Sequence, residues 1–190
     1  MKILFVNACV HPESRTHRLA NYLLNYMDGE IKEINLNNLN IPPLNKETLM
    51  FRSDLVNEKN FNEPVFEYAR CYANSDVIVV AAPYWDLSFP SALKVYIEHI
   101  NIPGIVFEYD KNGKPEGLCK AKKLIYITTA GGKIVSDDYG FGYIKELAQK
   151  FHGIKDVEYI KAEGLDIDGA EVEEILQKAE EKIDKLCKNC

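Results

Sequence analysis

Val77-Ile78-Val79-Val80-Ala81-Ala82-Pro83-Tyr84-Trp85-Asp86-Leu87-Ser88-Phe89-Pro90-Ser91-Ala92-Leu93-Lys94 leaves a strand, passes through an aromatic loop and enters a helix. Val77 to Ala82 is apolar at every position, which suits a parallel strand covered on both faces. Ser91 to Ile100 is amphipathic and reads as a helix. Between them, Pro83 and Pro90 bracket a loop holding the chain's only tryptophan, Trp85. Each proline fixes φ and withholds an N–H, so the intervening backbone is expected to extend neither strand nor helix. Its polar groups are then available to a ligand, and a planar heteroaromatic ring suits this composition. An α/β sheet presents such a ring at the carboxyl ends of its strands in this way.

Outward from this segment, apolar runs alternate with helical patterns, the signature of βαβ units and a parallel sheet. A first strand covers Lys2 to Asn7 and a helix runs from about Ser14 to Asp28, stopped by Gly29. A more polar second strand, Ile31 to Leu36, belongs at or near an edge. Asn37 to Phe61 is the least regular stretch, with Pro42-Pro43 and a short helix near Glu47 to Asn57. A helix over about Glu63 to Asn74 precedes the strand Val77 to Ala82. Ile105 to Leu118, with Asn112-Gly113, reads as a hairpin-like excursion. Strands at Lys123 to Thr129 and Val157 to Ala162 follow, with helices at about Tyr143 to Phe151 and Gly169 to Leu186. The expected fold is one α/β domain over residues 1–190, a doubly wound five-stranded parallel sheet. Order 2-1-3-4-5 places the topological switch between the first and third strands.

Composition narrows the partners. The chain has 23 basic and 29 acidic residues, a net charge of −6, which argues against nucleic acid or an anionic membrane as a partner. No apolar run approaches a membrane span, and Met1-Lys2 leads directly into a strand, so the expected location is cytoplasmic. The five cysteines are scattered and odd in number, unlike a disulfide framework, and no metal site is expected. Cys187 and Cys190 form a C-x-x-C that reads as a helix end.

In the expected strand order, three unusual loops converge. Glu13-Ser14-Arg15-Thr16 opens the first helix with two hydroxyls, a cation and unpaired amides, which together suit a phosphate; Ser14 equally suits an ordinary N-cap. The region lacks G-x-G-x-x-G and G-x-x-x-x-G-K, so a hydroxyl-based monophosphate loop is favoured. The second loop is the opening segment, where Tyr84 and Trp85 sit beside Asp86 and Ser88. The third, Thr128-Thr129-Ala130-Gly131-Gly132, ends a buried strand with glycines that permit close backbone approach; alone it reads first as a plain turn, and the case for a ligand rests on the three loops coinciding. His99 and His152 fall in helical patterns and read as structural, while His11 and His17 flank the first loop. Tyr139, Phe141 and Tyr143 suit a substrate wall, an interface or core. No G-x-S-x-G is present, against a hydrolase.

These segments resemble the flavodoxin-like NAD(P)H-dependent FMN oxidoreductases, near the FMN-dependent azoreductases and NAD(P)H:quinone oxidoreductases. The resemblance covers nearly the whole chain. It is strongest in Pro83 to Lys94 and continues through Gly104-Ile105-Val106-Phe107, Gly113, Glu116-Gly117-Leu118, Thr128-Thr129-x-Gly131-Gly132, Gly153-Ile154-x-Asp156-Val157 and Ala162-Glu163-Gly164.

The resemblance implies an enzyme that passes a hydride from NADH or NADPH through FMN to a quinone-like or azo/aromatic acceptor by a ping-pong mechanism. The alternative is a flavodoxin-type electron carrier or regulatory flavoprotein without NAD(P)H turnover. By position, Ser14, Arg15 and Thr16 would hold the FMN phosphate. Pro83, Tyr84, Trp85, Asp86 and Leu87 would line the isoalloxazine, with an amide near Asp86 or Leu87 facing flavin N5. Thr129, Ala130, Gly131 and Gly132 would line its pyrimidine end. No protein side chain is expected to be catalytic, because the flavin carries the chemistry. A homodimer with each site at the subunit interface is also implied. Three segments depart from the azoreductase pattern: Ala8-Cys9 where serine is common, Asp86 in place of asparagine, and Ala130 in place of arginine. An ionised Asp86 only accepts hydrogen bonds and opposes an anionic reduced flavin.

Overall fold

Five parallel strands form the central sheet of the computed structural model, in which residues 1–188 are described. They are β1 (Lys2–Asn7), β2 (Glu30–Asn35), β3 (Val77–Ala81), β6 (Lys123–Ala130) and β7 (Asp156–Glu163), in order β2-β1-β3-β6-β7. Between β3 and β6 the chain forms a separate antiparallel hairpin, β4 (Phe107–Tyr109) and β5 (Pro115–Gly117). The order is therefore the expected doubly wound one, with the switch between β1 and β3. Register follows in step, with Val6 beside Ile34 and Val80 and with Val80 beside Tyr126.

The central strands are apolar on both faces because each face is covered by helices. On one face Leu4, Val6, Ile78, Val80, Leu124 and Tyr126 pack with Phe66 and with α3 (Glu67–Ala73), α4 (Ser91–Ile100) and α5 (Tyr143–Leu147). On the other, Ile3, Phe5, Val79, Ala81, Ile125 and Ile127 meet Leu19 and Leu23 of α1 (Arg15–Leu24) and Leu176 and Ile183 of α6 (Val172–Cys187). β2 is the exposed edge its polarity suggests, burying only Ile34 among its apolar residues. α2 (Lys46–Asn57) lies in the irregular stretch and starts on a reciprocal Asn45–Thr48 capping box.

Local differences from the sequence reading have physical causes. α1 ends at Leu24, not Asp28, and the chain leaves it through Tyr26 N–H to Leu23 and Met27 N–H to Leu24 carbonyl bonds. Gly29 is not a helix stop: a Cβ there would lie 2.4 Å from the Met1 carbonyl oxygen, so glycine lets the chain cross β1 closely. Pro83 does not end the ladder either. Ala82 and Tyr84 N–H groups donate to Ile127 and Thr129 carbonyls at 3.0 and 2.9 Å, and Pro83 occupies the alternate position where no donor toward β6 is required. The helix expected at Tyr143 to Phe151 is α5 flanked by π-turns, Asp138–Gly142 and Ala148–His152.

The hairpin is bound to the domain by a close backbone contact: a Cβ on Gly117 would lie 2.1 Å from Gly153 N. Beneath it His152 is almost wholly buried. It bonds Tyr72 Oη through Nδ1 at 2.9 Å and Asn101 Oδ1 through Nε2 at 2.7 Å. The Asn101 acceptor requires Nε2 to carry the proton, and burial lowers the imidazole pKa to about 3. His152 is thus a neutral structural group, as its helical pattern suggested, and His99 ties α4 to the Pro42 carbonyl at 2.9 Å.

Candidate active site

Beyond the carboxyl ends of β1, β3 and β6, the three loops enclose an open cleft of about 670 Å³. It is lined by Ser14, Arg15 and Thr16 from the first loop, Pro83, Tyr84 and Trp85 from the second, and Thr129 and Gly131 from the third. Val10, His11, Glu13 and Asp166 complete the wall. A cleft of this size at the switch point is where doubly wound sheets bind ligands.

The first loop is shaped by α1. Ser14 is its N-cap, with Oγ accepting from His17 N–H at 3.2 Å. The first amides of a helix have no intrahelical acceptor. Those of Arg15 and Thr16 open the helix beside the cleft and have no acceptor among the described residues. Thr16 itself is fully buried, and its hydroxyl pairs with Thr129 Oγ1 at 2.7 Å. The Thr16 side chain therefore fastens the first loop to the third. Arg15 reaches the β7–α6 connection, donating to the Leu165 carbonyl at 3.2 Å and to Asp166 Oδ1 at 2.7 Å. Ala8 and Cys9 sit behind this loop. Burial raises the Cys9 thiol to about 11, so it stays protonated and is no nucleophile at neutral pH.

The second loop is a two-residue hairpin. Trp85 N–H donates to Ser88 carbonyl at 3.1 Å and Ser88 N–H returns to Trp85 carbonyl at 2.7 Å. Asp86 and Leu87 form its apex with φ of 50° and 68°, both left-handed, which is the type I′ arrangement. Leu at such a position costs about 1–2 kcal/mol relative to right-handed backbone. The apex amides of Asp86 and Leu87 have no acceptor among the described residues, so the turn presents two N–H donors. Asp86 and Leu87 nevertheless stand outside the cleft wall, exposed like Trp85, which is 46% accessible. Tyr84 is half-buried, and its hydroxyl is shielded from solvent with no hydrogen-bond partner among the described residues. Ser88 Oγ donates to the Tyr139 carbonyl at 2.7 Å, docking the π-turn Asp138–Gly142 on this loop. Of the three aromatics there, Tyr139 is exposed, Phe141 stacks on Tyr159 at 4.1 Å, and Tyr143 packs near Phe89.

The third loop is zipped to the β7–α6 connection. Leu165, Asp166 and Gly164 N–H groups donate to the Ala130, Gly131 and Gly132 carbonyls. Ala130 is buried and lies outside the cleft wall, whereas Gly132 has open space around it. At Gly131 an added Cβ would meet Asp166 Oδ2 at 2.2 Å, so glycine gives the carboxylate its place. Val10 and Asp166 line the cleft although no sequence motif marks them. The signal for Asp166 is topological: the connection after the last strand also emerges at the carboxyl edge. Among the described residues, no group of three or more His, Cys, Asp or Glu side chains is placed to hold a metal, and Cys190 lies outside those residues. No described helix is long and apolar enough to cross a membrane.

The sheet order, the loop cleft at its switch point and the helix-start amides define a doubly wound ligand-binding α/β protein. The chain belongs to the flavodoxin-like fold family, whose pattern matches residues 1–187. It is 36% identical over 197 residues to an FMN-dependent NADH:quinone oxidoreductase of Clostridium beijerinckii, covering 99% of this chain and 98% of that protein. A protein of the same description from Coprothermobacter proteolyticus is 35% identical, with 98% of each chain covered. Among solved structures, an FMN-dependent NADH-azoreductase from Bacillus anthracis in complex with FMN superposes with a TM-score of 0.83 at 23% identity, over 99% of this chain and 98% of that one. A second azoreductase from Bacillus anthracis gives 0.86 at 22% identity, over 100% and 99%. At these identities the structural likeness establishes the fold.

Proposed function

We propose that this protein is an FMN-dependent oxidoreductase that passes a hydride from NADH or NADPH to quinone-like or azo/aromatic acceptors by a ping-pong mechanism. The observation that carries the reading is the single cleft in which helix-start amides, an aromatic turn and a threonine–glycine loop meet. Its donor set fits a flavin monophosphate. The α1 N-terminus with the Arg15 amide, Ser14 Oγ and the Arg15 guanidinium supplies the donors that a phosphate requires. The Trp85 indole offers an apolar face. The two apex amides of the Asp86–Leu87 turn offer donors for ring heteroatoms, and Thr129 and Gly131 close the opposite side.

Bound FMN would supply the hydride-accepting and hydride-donating chemistry. The protein's part is to hold and orient. The Thr16–Thr129 bond keeps the phosphate loop and the third loop in fixed register. The apex turn, held by two backbone bonds and by Ser88 to Tyr139, keeps its donors aimed before any ligand arrives. Such preorganisation lowers the reorganisation cost of hydride transfer. One flat site used in succession by donor and acceptor accounts for the ping-pong order. A cytoplasmic homodimer with each cleft at the subunit interface completes the proposal. It is supported by the exposed apolar residues Leu49, Met50 and Phe51 on α2 and by the exposure of Trp85 in the cleft wall and of Leu87 on the turn next to it.

Anaerobic mixing of the FMN-loaded protein with NADH, and separately NADPH, tests the enzyme reading. Rapid bleaching of the visible flavin band followed by reoxidation with a quinone is expected. Flavin that stays oxidised for hours with both nucleotides would favour the electron-carrier alternative. Sedimentation equilibrium at twice the chain mass is expected for the dimer, and monomer mass at micromolar concentration would remove it.

A further inference from the structure

Asp166 places a carboxylate in the wall of a cleft read as a phosphate site, and holding a ligand does not call for it. Arg15 is the one Lys or Arg among the cleft-lining residues, where Glu13 and Asp166 are the carboxylates. Arg18, one turn further along α1, is engaged by Glu173 at 2.8 Å and Glu180 at 3.4 Å. Lys133 lies 3.7 Å from Glu163. The cation that a phosphate would draw on is therefore Arg15, and Arg15 already bonds Asp166 Oδ1 at 2.7 Å and the Leu165 carbonyl at 3.2 Å.

We propose that Asp166 is a positioning residue that lowers the site's affinity for a phosphate monoester by competing with it for the Arg15 guanidinium, an inference that rests on the FMN reading above. The geometry makes the competition a built feature. The Asp166 backbone is fixed by its N–H bond to Gly131 carbonyl at 2.8 Å, and the neighbouring Leu165 N–H bonds Ala130 carbonyl at 3.2 Å. The missing Cβ at Gly131 leaves the space that the carboxylate fills, 2.2 Å from where that atom would be. The pair is open to water, with the Arg15 and Asp166 side chains 36% and 64% exposed, so the bond is weak enough for a phosphate to exchange with it. A carboxylate that stays beside the bound phosphate also repels it. Both effects oppose retention of the phosphate end and leave the ring end untouched. The consequence is a cofactor held less tightly than the donor set alone allows.

Asp166→Asn keeps the shape and the backbone bond while removing the charge. FMN and riboflavin, which lacks the phosphate, are titrated without NADH into wild type, D166N, D166E, R15M and R15M/D166N, following quenching of flavin fluorescence. D166N is expected to tighten FMN about two- to fivefold, the range for an exposed ion pair, and to leave riboflavin unchanged. D166E should restore the wild-type FMN-to-riboflavin ratio, and the D166N gain should shrink in the R15M background. FMN binding that is unchanged or weaker in D166N, or a gain shared equally by riboflavin, overturns the proposal. Melting temperatures within a degree of wild type show that the fold is intact. Wild type that quenches neither ligand refutes the FMN reading and this inference with it. Wild type that binds both with a ratio insensitive to Asp166 refutes this inference alone.

Discussion

Replacing Thr16 by Val tests the one buried side-chain bond that joins two of the three loops. Val preserves the β-branched shape and the helix-start geometry, so the change removes little beyond the hydroxyl. Thr16 is 0% exposed and Thr129 is 8% exposed, so the orphaned Thr129 hydroxyl cannot recover a full water partner. Leaving a buried hydroxyl unsatisfied costs about 1–3 kcal/mol, and replacing both partners by apolar groups of like shape is nearly neutral. We expect T16V and T129V each to lose about 1–2 kcal/mol. The double variant should lose about 1 kcal/mol or less, a coupling of about 1–3 kcal/mol. Urea unfolding followed by far-ultraviolet circular dichroism on the FMN-free protein measures all four corners of the cycle. In a domain of this size each kcal/mol also shifts the melting point by about 2–4 °C. Losses that add to within about 0.5 kcal/mol would show that the hydroxyls do not depend on each other and would refute the clasp.

Three further outcomes follow from single sites. Leu87→Gly, which adopts left-handed backbone freely, should leave stability equal or raise it by up to about 1 kcal/mol, whereas Leu87→Val should lower it by at least that much; a clear loss in L87G by urea unfolding would contradict the type I′ turn. Gly117→Ala should cost more than about 3 kcal/mol, because its Cβ would strike the Gly153 backbone at 2.1 Å; wild-type stability would mean that the hairpin is not seated there. His152 titrates near 3 when folded against about 6.5 unfolded, so its contribution is fully present above pH 6.5 and declines as pH falls toward 3. Stability should drop by about 1.4 kcal/mol between pH 7.5 and 5.5. A H152Q variant should show that slope flattened, and an unchanged slope would remove His152 as its source.

The parallel order could be read from the chain because it rests on long-range regularities: strands with continuous apolar runs beginning at Ile3, Val77 and Leu124, a polar edge strand, and helical periods between them. Convergence of the three loops followed from that order, since carboxyl ends of parallel strands share one edge. The uses of individual groups did not follow. Ser14, Arg15 and Thr16 looked alike as donors, yet Thr16 turns inward to Thr129 while Arg15 reaches Asp166, a residue 151 positions away. Pro83 looked like a strand terminator, but only the side on which its missing N–H falls decides that, and pairing partners fix the side. Asp86-Leu87 lacks the glycine or asparagine that usually marks a type I′ turn, so local propensity concealed an apex imposed by the Trp85–Ser88 bonds. Asp166 was hidden for a related reason: its importance comes from Gly131 and Arg15, neither of which is near it in sequence.

A crystal structure of the protein grown with FMN decides where the flavin sits. The phosphate is expected at the α1 N-terminus on the Arg15 amide and Ser14 Oγ, and the ring edge at the Asp86–Leu87 amides beside Trp85. FMN bound elsewhere, or with its phosphate away from the α1 N-terminus, would contradict that placement.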